Sequence, residues 1–279
     1  MDNNKVRVIL DAGHYGLYNR SPVVPEYYES VRMWVLKDFL KEALLGYGFE
    51  VSETRTEQEV DLEVTRRGRA AENYDILLSL HSNAAGNERV DRAVGIYQIQ
   101  RDDSIIAKKS MEVAELLAKT VAAVMDTNDP PKWYQRLSTA DRDNDGVLND
   151  NYYGILHGAW MVETAAVILE HSFHTNKRAV EWLLDDANLK QLAEAEARIL
   201  AHYYGMLPGQ RQKGDVNGDG SIDSKDYLMA KRIFLGTYTP TAEELWAADI
   251  DGDGFVGPDD YLKIKRHALG SYVIENNRS

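Results

Sequence analysis

The sequence predicts an α/β layered domain, with a mostly parallel or mixed sheet flanked by helices, followed by a small all-α module built on two acidic loops. Three observations predict it. Short apolar runs rich in β-branched residues alternate with amphipathic stretches of roughly ten to twenty residues. Three of those runs end abruptly in Asp, Glu or His. The chain closes on an internal repeat, at 214–228 and 248–262, each copy an Asp- and Gly-rich loop ahead of a basic helix.

In chain order, residues 6–10 (Val-Arg-Val-Ile-Leu) read as a strand. Residues 15–28, with Asn19, Pro22 and Pro25, read as irregular. A helix starts near Glu29: Val31, Val35, Phe39 and Ala43 recur every four residues beside Leu36, Leu40 and Leu44, and Gly46 and Gly48 stop it. Residues 49–54 form the second strand, 62–73 a helix and 75–81 a strand. A further strand is expected at 93–100, then a long helix at 104–125. The polar stretch 127–151 reads as loop. Helix 152–161 leads into the apolar strand 165–171, and helices at 177–184 and 189–204 close the domain. The expected division is a domain at 1–206, a linker at 207–213 and a module at 214–279.

Composition narrows the function. A chain of 279 residues with 44% hydrophobic residues can build a sizeable core. No stretch reaches the roughly 18 apolar residues of a membrane span. A net charge of −13 argues against a nucleic-acid backbone as partner. The absence of cysteine excludes disulfides, thiol nucleophiles and Cys-ligated metals. Residues 1–4 do not resemble a signal segment.

The chemistry gathers at strand ends. Asp11-Ala12-Gly13-His14 follows the first strand. Ser79-Leu80-His81-Ser82-Asn83-Ala84 ends another, and Ile168-Leu169-Glu170-His171-Ser172-Phe173-His174-Thr175-Asn176 ends a third. Ligands collect outside the carboxyl ends of strands in open α/β sheets. Two imidazoles and a carboxylate delivered there suit a zinc hydrolase, in which the carboxylate takes a proton from the zinc-activated water. A Glu after four apolar residues needs a partner, which an ion pair would also supply.

These three motifs, in this order over about residues 5–205, resemble the signatures of the zinc-dependent N-acetylmuramoyl-L-alanine amidases of the amidase-3 type. The resemblance implies cleavage of the amide between N-acetylmuramic acid and L-alanine in peptidoglycan. It implies a zinc ligand set of His14, Glu29 and His81, with Glu26 as the alternative carboxylate, and Glu170 as the catalytic base. The family spacing favours Glu29, although a carboxylate there would also stabilise a helix N-terminus. Asn83, His174 and Asn176 lie within the motifs and are candidate substrate contacts. His171 is expected to face away from Glu170, because neighbours on an extended segment alternate. Arg67 matches a recurrent Arg of the family, with surface ion pairing as its expected role.

The terminal repeat carries its own signal. Asp215, Asn217, Asp219, Asp223 and Asp226 fall at positions 1, 3, 5, 9 and 12 of a calcium loop, with Gly220 at the turn and the Ser221 carbonyl at position 7. The second loop offers Asp249, Asp251, Asp253 and Asp260, the Phe255 carbonyl and Gly254 at its turn. Each loop precedes one helix, and no entering helix is visible. Over about residues 214–270 the pattern resembles a dockerin, whose paired loops bind a cohesin. The resemblance implies two structural calcium ions, a cohesin-bearing scaffold as partner, and recognition residues Ser224, Lys225, Lys231, Arg232, Lys265 and Arg266. A third loop, 141–149, imitates the calcium pattern, but its twelfth position is Tyr152 and a turn is the expected reading.

The sequence thus predicts a secreted or cell-surface wall hydrolase, with its signal segment absent from this chain. The competing expectations are a zinc metallopeptidase acting on wall peptides, and a catalytically inactive wall-binding protein assembled through its dockerin.

Overall fold

The structure, a computed structural model, describes residues 5–99, 105–143, 145–206, 212–252 and 255–274. It divides into two compact units, Met1–Met206 and Leu207–Ser279. The expected linker lies mostly outside the described residues, as do Ser104 and the second-loop positions Asp253 and Gly254.

The first unit is built on β1 (Arg7–Ala12), β2 (Glu50–Glu53), β3 (Ile76–Asn83), β4 (Val94–Tyr97), β5 (Lys132–Tyr134) and β6 (Ala165–Phe173). The strands form one mixed sheet in the order β2-β1-β3-β6-β4-β5. β2, β1, β3 and β6 run parallel, while β4 is antiparallel to β6 and parallel to β5. The helices are α1 (Glu29–Gly46), α2 (Val64–Arg69), α3 (Ile105–Met125), α4 (Gly154–Met161), α5 (Lys177–Leu183) and α6 (Asp186–Tyr203).

Strand β6 is buried along all nine of its residues, which is why it reads as a continuous apolar run. On one face Ile9, Leu77, Val94, Ile96 and Ile168 pack with Leu156 and Ala159 of α4. Helix α1 buries Met33, Leu36, Leu40 and Leu44, while Val31, Val35, Phe39 and Ala43 flank that stripe half-buried. The same helix buries Lys37, which pairs with Glu53 and Asp38.

Two elements differ from expectation. β5 occupies part of the stretch read as loop: Lys-Trp-Tyr is a short edge strand with no alternation long enough to announce it. Helix α2 is shorter than 62–73, because Glu63 caps its start by accepting from the Thr65 and Arg66 amides, and Ala70 ends it.

The second unit holds α7 (Ser224–Phe234), α8 (Ala242–Ala248) and α9 (Pro258–Ala268). Val216, Ala230, Ala248, Ile264 and Ile274 form its small core. Helix α8 corrects the expectation that no helix enters a loop. It is one short acidic helix, started by a Thr241–Glu244 capping box, and it runs directly into Asp249.

Candidate active site

Strands β1, β3 and β6 end side by side. Asp11 pairs with Ser79, and His81 pairs with Glu170, so each pair shares a face of the sheet. Glu29, the first residue of α1, completes the group from the side. Donor atoms of His14, Glu29 and His81 all lie within 4.8 Å of one another. His81 Nδ1 is 2.8 Å from Glu29 Oε1, and His14 Nε2 is 3.4 Å from Glu29 Oε2. Glu29 is buried, whereas Glu26 is exposed and outside this group.

The backbone is shaped for the arrangement. His14 takes φ +59°, the left-handed region that costs a non-glycine residue about 1 kcal/mol or more. Gly13 is required by its neighbour: a Cβ there would lie 2.3 Å from His81 Cε1.

Burial alone would raise the Glu29 carboxyl, but hydrogen bonds and charge from His14 and His81 outweigh it and hold Glu29 well below the usual carboxylate range. Burial likewise disfavours a charged His81, yet Glu29, with Glu170 and Asp11 behind it, holds the ring up at about 9. Glu170 is pushed up to about 7, chiefly by burial and further by the charge of Glu29, against the influence of His81 and His171. Its Oε2 is buried with no hydrogen-bond partner among the described residues. Two imidazoles and one carboxylate are the donor set of an open catalytic zinc site, and they fit that ion. The unsatisfied Glu170 oxygen fits a base that meets a reactant.

The remaining motif residues have duties inside the fold. His171 is fully buried, with Nδ1 2.9 Å from the His81 carbonyl and Nε2 2.8 Å from Glu196 Oε1. His174 Nδ1 lies 2.8 Å from the Ser82 carbonyl and 3.7 Å from Glu29 Oε2, which places it behind Glu29. Asn176 caps α5, accepting from the Ala179 amide and donating to the Glu88 carbonyl. Asn83 Oδ1 accepts from the neighbouring Ala84 amide. Arg67 is not on the surface: it is 4% exposed and lines a cavity of about 320 Å³ that His14 and His81 share.

Sequence reasoning missed the residues that support these ligands. Asn19 Nδ2 donates to Glu29 Oε2 at 2.6 Å and lies 3.0 Å from His14 Nε2. Ser79 Oγ donates to Asp11 Oδ2 at 2.8 Å and lies 3.2 Å from His81 Nε2. The strand period offered a signal for Ser79, which is two residues from His81 and therefore on its face. No such period reaches Asn19 in its irregular loop.

In the second unit Asp215 accepts from the Gly218, Asp219 and Gly220 amides, and Asp226 from those of Asn217 and Asp223. Asn217 Nδ2 donates to Asp219, Ser221 N donates to Asp219 Oδ1, and Asp223 caps α7. In the other loop, oxygens of Asp249, Asp251 and Asp260 lie within 4.8 Å of one another, and Phe255 is exposed. Burial raises the Asp226 carboxyl above its ordinary value. Ser224, Lys225, Arg232, Lys265 and Arg266 are exposed, and Lys231 is half-buried. The third loop brings Asp141 and Asp143 to the buried Asp150, at its tenth position, with Tyr152 outside the group.

The family model described as N-acetylmuramoyl-L-alanine amidase matches residues 8–202, and that of the dockerin type I domain matches 213–269. No curated protein matches the chain. Among solved structures, an N-acetylmuramoyl-L-alanine amidase from Clostridium difficile 630 is similar with a TM-score of 0.58 at 19% identity, over 72% of this chain and 98% of that one. The amidase AmiC2 of Nostoc punctiforme gives 0.57 at 20% identity, over 72% and 98%. The catalytic domain of CwlV from Bacillus (Paenibacillus) polymyxa gives 0.54 at 19%, over 72% and 99%. At these identities the structural likeness establishes the fold.

Proposed function

The chain belongs to the N-acetylmuramoyl-L-alanine amidase family, and from that premise we propose that it is a zinc-dependent peptidoglycan hydrolase cleaving the amide between N-acetylmuramic acid and L-alanine. One observation carries the reading: His14, Glu29 and His81 converge, while Glu170, on the His81 face of the sheet, keeps a buried oxygen without a partner.

Zinc, when bound, supplies a Lewis acid that polarises the scissile carbonyl and acidifies water. His14, Glu29 and His81 would hold it and leave a fourth position open. Glu170 Oε2 accepts the proton of the attacking water and returns it to the departing L-alanine nitrogen. An acidity near neutral suits both transfers, since the group gives the proton up as readily as it takes it. The hydrogen bonds behind the ligands keep the imidazoles in place through Ser79, Asp11 and Asn19.

The C-terminal unit carries a dockerin type I domain. Asp215, Asn217, Asp219, Ser221, Asp223 and Asp226 would hold one calcium ion, and Asp249, Asp251, Asp253, Phe255 and Asp260 a second. The module would dock the enzyme on a cohesin-bearing scaffold at or outside the cell surface. Ser224, Lys225, Lys231, Arg232, Lys265 and Arg266 would face that partner. No helix among the described residues is long and apolar enough to cross a membrane.

Digestion of purified peptidoglycan tests the reading. New L-alanine amino termini, lost on zinc chelation, are the expected result. Other new termini would move the assignment to a peptidase, and none at all, across several wall types, to a binding protein.

A further inference from the structure

We propose that Arg67 is the carboxylate receptor of the substrate peptide, its guanidinium taking the free carboxylate of the residue that follows L-alanine. The proposal rests on the amidase reading and names what that site recognises.

Arg67 is 4% exposed, yet its terminal nitrogens have no hydrogen-bond partner among the described residues. Among the described residues only Nε makes a hydrogen bond, donating to the Leu62 carbonyl at 2.7 Å. The nearest carboxylate oxygens, Asp11 Oδ1 at 3.6 Å and Asp61 Oδ1 at 3.9 Å, lie beyond hydrogen-bond length. Asp11 is already engaged by the Ser79 and Thr54 hydroxyls. It therefore balances the Arg67 charge without filling its fork. The terminal nitrogens, ion-paired with Asp11 and Asp61 and open to the cavity, keep donors that a ligand entering it can use.

The group is held in place. Gly68 and Gly158 let α2 and α4 approach so closely that a Cβ on either would lie 2.2 Å from a carbonyl oxygen of the other helix. Arg67 is thereby fixed on the wall of a cavity of about 320 Å³ that His14 and His81 also line. A peptide whose first residue sits at the metal ligands extends by about 3.5 Å per residue, which brings its second residue into this cavity. Tyr15, Val64 and Ile155 give the cavity apolar surface beside the guanidinium. A planar fork of donors matches a carboxylate bidentately. The sugar side of the substrate offers only neutral hydroxyl and acetamide groups. The peptide side offers a carboxyl at its second residue, which occurs in walls either free or amidated.

The test uses the zinc-loaded full chain and two muramyl peptides, alike except that the second residue is D-isoglutamate or D-isoglutamine. The wild type should favour the free carboxylate by about tenfold or more in kcat/KM. Arg67→Gln should erase that preference chiefly through KM, and Arg67→Lys should recover part of it. Asp61→Asn, at an exposed rim residue, should lower KM for the carboxylate form alone. No preference in the wild type, or an equal loss on both substrates in Arg67→Gln, would overturn the proposal. If the Arg67 variants do not fold, an unchanged KM in Asp61→Asn overturns it. Binding of the dipeptide L-alanyl-D-isoglutamate, measured calorimetrically, separates this inference from the amidase reading. Loss of that binding in Arg67→Gln sustains the receptor even if neither substrate is cleaved, and retention of it sinks the receptor.

Discussion

His81 Nδ1 and Glu29 Oε1 lie 2.8 Å apart, and in the metal-free protein the carboxylate keeps the imidazole charged up to about pH 9. A zinc ion takes the neutral ring, so it must displace that proton. Zinc binding at pH 7 is expected to release a proton from His81, and affinity to fall about tenfold per pH unit as pH drops below 9. Calorimetry in buffers of different ionisation heat counts the protons. A count of zero would refute the pairing.

Gly13→Ala should separate folding from metal binding. The added methyl would lie 2.3 Å from His81 Cε1, so the ring must move. The expected result is an unchanged far-ultraviolet spectrum with zinc affinity lowered about tenfold or more, as for loss of a residue that orients a metal ligand. Equal zinc retention in the variant and the wild type would show that the ring finds another seat.

Glu170→Gln should lose activity by about 10²–10⁴-fold while keeping zinc. Its melting temperature should hold or rise, because a buried carboxylate charge that desolvation disfavours is replaced by a neutral amide of the same shape. The sign of the pH effect follows from its role. Glu170 is pushed up to about 7, and below that value it is protonated and cannot accept a proton. Bound zinc moves the midpoint downward by its positive charge. The rising limb of kcat/KM should therefore lie at or below about 7, and a limb well above it would assign the base elsewhere.

Calcium should stabilise the C-terminal unit, whose core rests on few side chains. Calorimetry of the full chain should show a transition that falls on chelation and in Asp260→Ala. Burial raises the Asp226 carboxyl, so acidification protonates it early and calcium affinity should decline as pH falls. A transition indifferent to chelator would remove calcium from the account.

Legibility followed from how local each signal is. His14, His81 and Glu170 each follow an apolar run, and such a run can be read from a single segment. Glu29 cannot be read that way, because a carboxylate opening a helix looks the same whether it meets a metal or the helix dipole. The burial of Arg67 is hidden from the sequence for a different reason. It depends on α2 meeting α4 through Gly68 and Gly158, a contact between segments about 90 residues apart. β5 and α8 escaped because three and seven residues are too few to establish a period.

Strand β6 lies between β3 and β4, although both precede it in the chain by more than 60 residues. During synthesis the earlier strands therefore wait with an open seam until residues 165–173 emerge and insert. The same insertion delivers Glu170 opposite His81. A nascent or truncated chain can carry every proposed zinc ligand and still lack the proposed base, which arrives only with the strand that closes the sheet.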